Sequence, residues 1–582
     1  MSAVPINAAN DRVTLAVLVD GTELPRTVPL LAAEVVNQVN RVPYARLRFG
    51  DGDPAKGDFL ASTGALFVPG NKIALNAGYG GQSQQVFAGV ILSQRIVVRS
   101  GTSWLEIDCR DPVFAMTLVR RNRYFADATD AAVVGQLLDE YADKDVTKGQ
   151  AEPAGASHPQ LLQYQATDWD FMLARLDAAG LVCVVQGGAV GTLRPSLAGP
   201  AVLEVGYGAT LLELDAELDA RSQTSGVRAT AWDPSGQALQ EATATDPGWS
   251  GAGNLSGSDL ATAAEHDEDV VWHGGTLASD ELQAWADGAL LRARLAAARG
   301  RVRFQGTPAL QPGSVIALAR VGDRFNGNVY VTGVRHEFTH NDWLTDAEFG
   351  LSRALHAARP EVSHLPAAGL AAAVHGLQVG IVTALADDPG HEHRVRVRVP
   401  LAGMAEDGVW ARVATLDAGS KRGTFFRPEK DDEVVLGFFH GDPAQPVILG
   451  MLHSSGHEPP VQATADNDAK VYVSRAGIAL RFDDKKKSVT LETPGKNRLV
   501  LSDDDKGLLL EDQNGNSIRL DKDGITLQSA KAVTLKAKTD LAAEANKVEF
   551  KAQTGFTAKG QSQAEVSSSG SLTLKGGMVM IN

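Results

Sequence analysis

Cysteine is nearly absent from this chain: two occur in 582 residues, Cys109 and Cys183. Each lies in an apolar, strand-like context, LEIDC and LVCVV, so buried free thiols are expected and not a disulfide. Aromatic residues are also few, at 6%, while glycine is frequent at 59. That balance suits short strands and many turns better than a large helical core. No run of about 18 apolar residues occurs, so no segment reads as a membrane-spanning helix. The first residues, MSAVPINAANDR, lack the basic region and apolar core of a secretory signal. Action outside the cell is therefore expected to use a route other than general secretion. Basic excess is missing too. The formal net charge is −15, and binding to a phosphate backbone needs clustered Lys and Arg. No nucleic-acid partner is expected.

What is present reads as several domains. A chain of this length calls for roughly three to five of them, at about 100–200 residues each. Hydrophobic residues make up 44%, an ordinary globular share that argues against disorder. Residues 1 to about 120 alternate with period two, as in Val13, Leu15, Val17 and Val19, with Gly, Asp and Asn between the runs. This predicts an antiparallel sheet or barrel. Helices follow. Val133, Val134, Leu137, Leu138 and Tyr141 share one helical face. Thr167 is placed to cap a second helix that stops at Gly180. A third, Ala-rich helix is predicted from Ser279 to Ala298. Strands resume at Arg301–Phe304, Val315–Arg320 and Asn328–Phe338, and this α+β region ends near residue 355. Residues 356–375 read as a linker. Residues 376–455 read as a small closed barrel of the OB type, with Arg394, Arg396 and Arg398 alternating against Val395, Val397 and Val399. Residues 456–469 form a second linker.

From about 470 to the end, apolar pairs at i and i+2 recur every eight to ten residues. They are Val489/Leu491, Leu499/Leu501, Leu508/Leu510, Ile518/Leu520, Ile525/Leu527, Val533/Leu535, Val548/Phe550 and Leu572/Leu574. LETPGKNRLVL returns as LEDQNGNSIRL about nineteen residues later, and a fixed period signals a stacked architecture. Each strand offers only two apolar side chains on one face, too narrow a stripe for one chain to enclose. Three chains around a shared axis can enclose it, which predicts a trimeric β-helix over 470–582. Leu499, Leu501, Ile518, Leu520, Ile525, Leu527, Val533 and Leu535 are its expected core. At the end, Met578, Val579, Met580, Ile581 and Asn582 are expected to form an apolar platform for a separate tip protein.

Several motifs carry weaker chemical signals. His336-Glu337-Phe338-Thr339-His340 fits the HExxH pattern, which needs both imidazoles on one helix face. Here Tyr330, Thr332, Val334 and Phe338 favour a strand. Two ligands four residues apart on a strand stand roughly 13 Å apart, too far for one zinc ion. His391-Glu392-His393 reads as a solvated loop tip. Asp503–Asp505 and Lys485–Lys487 read as charged turns, and Gly78–Gly81 as a hairpin turn. His453–Asp468 leaves no room for a lysozyme domain, and no effector domain is expected after the stalk. No catalytic, cofactor-binding or metal residue is assigned.

The order of strand-rich hub, small barrel and repeat stalk resembles the VgrG (Rhs-element Vgr) spike proteins and the hub and needle of contractile phage tails. The local matches are Val86–Ile91, then Gln163-Tyr164 with Thr167–Phe171, Arg175-Leu176 and Gly180-Leu181. Arg394–Pro400 with Trp410–Ala414 follows. Asp432–Val434 with Gly441–Pro443, Pro446-Val447 and Gly450 is the most specific. The resemblance implies a homotrimer that joins a hexameric inner tube and baseplate proteins at one end. At the other end it implies a conical PAAR-type tip protein, with the target cell envelope beyond. It implies assembly in the cytoplasm and action outside the cell or at the target envelope, without enzyme activity. The competing readings are a peptidoglycan or zinc hydrolase and a receptor-binding tail fibre.

Overall fold

The computed structural model describes residues 12–25, 27–152, 156–339, 342–405 and 407–581. Two compact units divide the chain: Met1–Ala373 with His440–Pro443, and Val374–Phe439 with Ala444–Asn582.

The first unit is built on one long, mainly antiparallel sheet. Its path runs Leu211–Leu218, Ala298–Gln305, Asp342–Phe349, Gly327–Thr339, Leu30–Gln38, Tyr44–Gly50, Thr102–Arg110, Gln82–Arg99, Lys72–Tyr79, Val13–Val19 and Thr22–Glu23. Val315–Ala319 and Leu203–Gly206 join it at the side of Gly327–Thr339. Period-two sequence sends alternate side chains to opposite faces, and two separate cores result. One gathers Leu47, Phe49, Leu75, Ile91, Leu105 and Ile107. The other gathers Val205, Val302, Phe304, Ile316 and Val331. Strand Gly327–Thr339 serves both, with Val331 and Val334 in the second and Phe338 in the first. A bulge between Val331 and Gly333 lies along it. Cys109 and Cys183 are both buried and free, as their apolar context implied.

A third core is helical. Helix Asp130–Asp139 begins where Thr129 Oγ1 accepts from the Ala132 amide, and helix Asp168–Ala178 where Thr167 Oγ1 accepts from the Asp170 amide. Val133, Leu137, Trp169, Met172, Leu173 and Leu176 pack beneath them with Cys183 and Val185. Strands Arg120–Thr129 and Ser157–Thr167, whose polar sequences show no clean alternation, form a two-stranded sheet that carries both helices. Helix Asp168–Ala178 ends at Gly180, whose φ of +67° is the left-handed stop that glycine adopts freely.

The longest helix, Ser279–Ala297, crosses this corner at Gly288. A Cβ on Gly288 would stand 2.8 Å from the Gly180 Cα, and one on Gly180 would stand 2.6 Å from the Gly288 Cα. Both contacts are with backbone, which cannot rotate away. Helix propensity favours Gly288→Ala by about 1 kcal/mol, but the overpacking it forces costs about 1–3 kcal/mol. The substitution is therefore expected to lower the thermal midpoint of the hub. A raised midpoint would mean that the two helices can separate without cost.

In the second unit, five strands close into a barrel: Gln378–Ala384, Val395–Arg398, Val409–Val413, Pro446–Met451 and Glu433–Phe438, which returns to the first. Val382, Val395, Val397, Ala411, Val434, Leu436 and Ile448 fill it. The alternation of Arg394–Val399 thus puts valine inside and arginine outside. After the barrel, seven strands from Ala469–Val473 to Gly524–Gln528 form an antiparallel meander, each paired with the next. The expected stalk strands are present this far. Beyond Gln528 no residue among those described is in a strand, and every described residue from Ala530 to Ile581 is exposed. The pairs Val533/Leu535, Val548/Phe550 and Leu572/Leu574 lie there. Among the described residues these segments have no ladder partners within the chain.

Candidate functional site

The meander is where the sequence pattern turns into a surface. Directly opposed residues in antiparallel strands share a face, and the register opposes apolar to apolar at every step. Tyr472 faces Leu480, Phe482 faces Val489, Leu491 faces Leu499, and Leu501 faces Leu508. Leu510 then faces Ile518 and Leu520 faces Ile525, with Leu527 opposite Ile518. All of these side chains therefore stand on one side of the sheet. Seven strands at about 4.8 Å make this stripe about 30 Å long, and two side chains per strand make it only about 7 Å wide. The other side carries Arg481, Thr490, Val500, Leu509, Arg519 and Thr526 in one row, flanked by the 2.7 Å ion pair of Arg498 with Glu511.

Among the described residues, Phe426 meets Tyr472 edge-on at 4.9 Å between ring centroids, and most of the rest of the apolar side is exposed. Leu499, Leu501, Ile518 and Leu520 are each more than a third exposed, and Ile525 reaches 76%. Buried apolar surface is worth about 25 cal/mol per Å², so a row of eleven large exposed side chains is a strong drive toward a partner. Exposed stripes of this extent mark interfaces.

Turn chemistry holds the register. Ser474, Thr493 and Asp512 stand nineteen residues apart and open the turns at one edge. Their amides donate to the Ile478, Asn497 and Asn516 carbonyls at 2.9, 3.0 and 3.0 Å. Asp512 also accepts from the Asn514 and Asn516 amides and the Asn516 side chain, which hold its carboxyl down to about 2. Lys487, Lys496 and Lys506 adopt φ of 48–69°, the left-handed conformation these tight turns need. Asp503–Asp505 and Lys485–Lys487 are turn residues, as their flanks implied. One hairpin with its two turns is the nineteen-residue unit.

At the far end Met578, Val579, Met580 and Ile581 are all exposed, and Asn582 lies outside the described residues. His336 is on strand Gly327–Thr339, buried beside Phe338 and Trp343. Its Nδ1 accepts from Trp343 Nε1 at 3.3 Å and lies 2.9 Å from Thr345 Oγ1. Burial pushes its pKa down to about 4. Glu337 turns to the opposite face and accepts from Arg303 at 3.1 Å. The motif's first imidazole and its carboxylate thus diverge. His340 lies outside the described residues. His391 and His393 sit in a loop with left-handed φ. That loop is folded around Asp388, whose carboxylate Arg394 and three loop amides hold far below the usual range. Among the described residues no group of three or more His, Cys, Asp or Glu is placed to hold a metal ion. No helix among them is long and apolar enough to cross a membrane.

Comparison with known proteins bears on all three parts. Residues 9–340 match the family model of the Alg8 N-terminal domain, more than half of the chain. The chain belongs to this family. The family domain is followed by a match at residues 378–453 to the type VI secretion system/phage-baseplate injector OB domain, which coincides with the closed barrel. Residues 488–582 match the phage baseplate V C-terminal trimerisation domain, which takes in most of the apolar stripe and the end of the chain. The Alg8-type hub thus leads into the two domains of a phage baseplate V protein. Together they make the chain a VgrG-like structural spike of a contractile injection system. Similar solved structures include a tail protein from Neisseria meningitidis, 15% identical over 59% of this chain and 98% of that one, with a TM-score of 0.43. A type VI secretion system component from E. coli is 16% identical over 75% and 99%, with a TM-score of 0.35. A Francisella PdpA–VgrG complex is 9% identical over 89% and 88%, with a TM-score of 0.39.

Proposed function

We propose that three copies of this chain form the central, non-enzymatic spike that carries the force of contraction onto the target envelope. The largely exposed apolar side of the meander is the observation that carries the reading. Leu499, Leu501, Ile518, Leu520, Ile525 and Leu527 form the inner wall in each copy. Val533 and Leu535 continue it where the chain leaves its own ladder. A threefold arrangement supports both regions at once. Each stripe packs against two copies of itself, and backbone without in-chain partners pairs with neighbouring chains. Closure of that kind leaves few free strand edges and makes the stalk stiff.

In this reading the hub seats on a hexameric inner tube, and Met578–Asn582 of three chains present an apolar platform to a PAAR-type tip protein. Assembly takes place in the cytoplasm, and action is outside the cell or at the target envelope. Electron imaging of particles that carry a label in the hub loop Gly322–Phe325 tests the placement. Label at the tip-proximal end of the inner tube is expected. Label on fibres or along the sheath would overturn the reading. Deleting Met578–Asn582 should leave the oligomer intact and abolish co-purification of the tip protein. Undiminished tip binding would remove the platform from the proposal.

A further inference from the structure

The hub holds a buried cation without an acid beside it. Arg294 lies in the last turn of helix Ser279–Ala297 and is 4% exposed. Its Nη1 donates to the Thr224 carbonyl at 2.8 Å and, weakly, to Gln223 Oε1 at 3.4 Å. No carboxylate stands within ion-pair distance of it among the described residues. Asp246 acts on it only through the longer-range field, and burial outweighs that, so its pKa is lowered. A buried arginine is ordinarily paired, because an uncompensated charge in a low-dielectric site costs several kcal/mol.

This guanidinium lines a cleft of about 230 Å³. The loop Trp249–Gly257 forms one wall, and Leu197, Leu218 and Leu295 supply an apolar floor. Gly257 lets the loop lie against the arginine. A Cβ there would stand 2.6 Å from the Arg294 Cδ and 2.8 Å from its Nε and Nη1. Trp249 meets Tyr330 edge-on at 6.3 Å between ring centroids, and the buried Tyr330 hydroxyl has no hydrogen-bond partner among the described residues. Apolar walls with one fixed polar anchor are the usual make-up of a small-ligand site.

We propose that this cleft binds a small organic monocarboxylate, with the acid group on Arg294 and a flat apolar body against Trp249 and the leucines. The fork of a guanidinium matches a carboxylate edge. A single cation with Asp246 in its field balances one negative charge and not the two of a phosphate. The volume limits the occupant to fragment size. The site lies wholly within the hub and stands apart from the assembly reading, so either can fail without the other.

The probe is phenylacetate, titrated calorimetrically into the full-length protein beside phenylacetamide and phenylphosphonate. Phenylacetate is expected to bind at least about tenfold more tightly than either. Arg294→Gln should weaken phenylacetate by about tenfold or more and erase its advantage over the amide. Trp249→Leu should weaken acid and amide alike. If Arg294→Gln does not fold, Arg294→Lys keeps the charge but loses the fork, and should give an intermediate affinity. Equal affinity for acid and amide, preference for the phosphonate, unchanged binding in the Arg294 variants, or no binding of phenylacetate to the wild type would each overturn the proposal.

Discussion

Leu520→Asp is expected to take the stalk apart. Wild-type chain should sediment at three times 61.4 kDa, and the variant should fall to a smaller species or become protease-sensitive between residues 470 and 581. Leu520 stands between Leu508 and Ile525 on the apolar side. Three copies would bring three carboxylates to one level of an apolar axis. Desolvation costs several kcal/mol per ion, and like charges add repulsion. Arg519, the preceding residue, points to the opposite side, so Arg519→Asp serves as the control and should leave the oligomer in place. Equal proteolysis of both variants would show that the inward side is misassigned.

Acid stability of the hub should turn on two buried groups of opposite sign. His336 is desolvated, and its pKa falls from 6.5 to about 4. Unfolded chain therefore takes the proton first. The stability this group contributes is complete above pH 6.5 and is lost as pH falls through 4. Asp111 is also desolvated, against the pull of the Val113 and Gly188 amides, and its pKa rises from 3.8 to about 6. Its contribution is complete below pH 3.8 and is lost as pH rises through 6. A tenfold change in proton affinity between folded and unfolded chain is worth about 1.4 kcal/mol. Each group therefore moves stability by about 3 kcal/mol, in opposite directions between roughly pH 4 and pH 6.

The pair should nearly cancel in the wild type. His336→Gln keeps an acceptor for Trp343 and removes the titration, so that hub should gain stability, relative to wild type, as pH falls from 6.5 to about 4. Asp111→Asn should lose it over the same range. Urea unfolding midpoints for the three proteins should therefore fan apart toward low pH. Parallel curves would mean that neither group is as desolvated as its burial implies.

Much of the stalk was legible because period two is a local signal. Ile518/Leu520 and Ile525/Leu527 declare a shared face without reference to anything distant, and the nineteen-residue return of LE…RL is one hairpin with its turns. Val533/Leu535 looks the same in sequence yet lies outside any ladder among the described residues, because pairing depends on partners that local pattern does not name. In the hub, Tyr330, Thr332 and Val334 were enough to recognise a strand at His336 and to separate it from a metal helix. Nothing local revealed that this strand joins two cores. Arg335 meets Glu34 across 301 positions, and Asp346 draws in Arg301, Arg303 and Arg335. Arg294 was missed for a related reason. Its neighbours RLAAARG read as an ordinary amphipathic helix end, and only the loop at Gly257 turns it into a buried charge.

The hairpin repeat makes the spike a ruler with fixed graduations. Inserting one nineteen-residue unit adds two strands, about 10 Å, and returns the chain to the same edge with the apolar side still facing the same way. Half a unit adds one strand and delivers the chain to the opposite edge, where the following segment would run back against its intended direction. Reach is therefore adjustable only in whole hairpins, and relatives of different length should differ by multiples of that step.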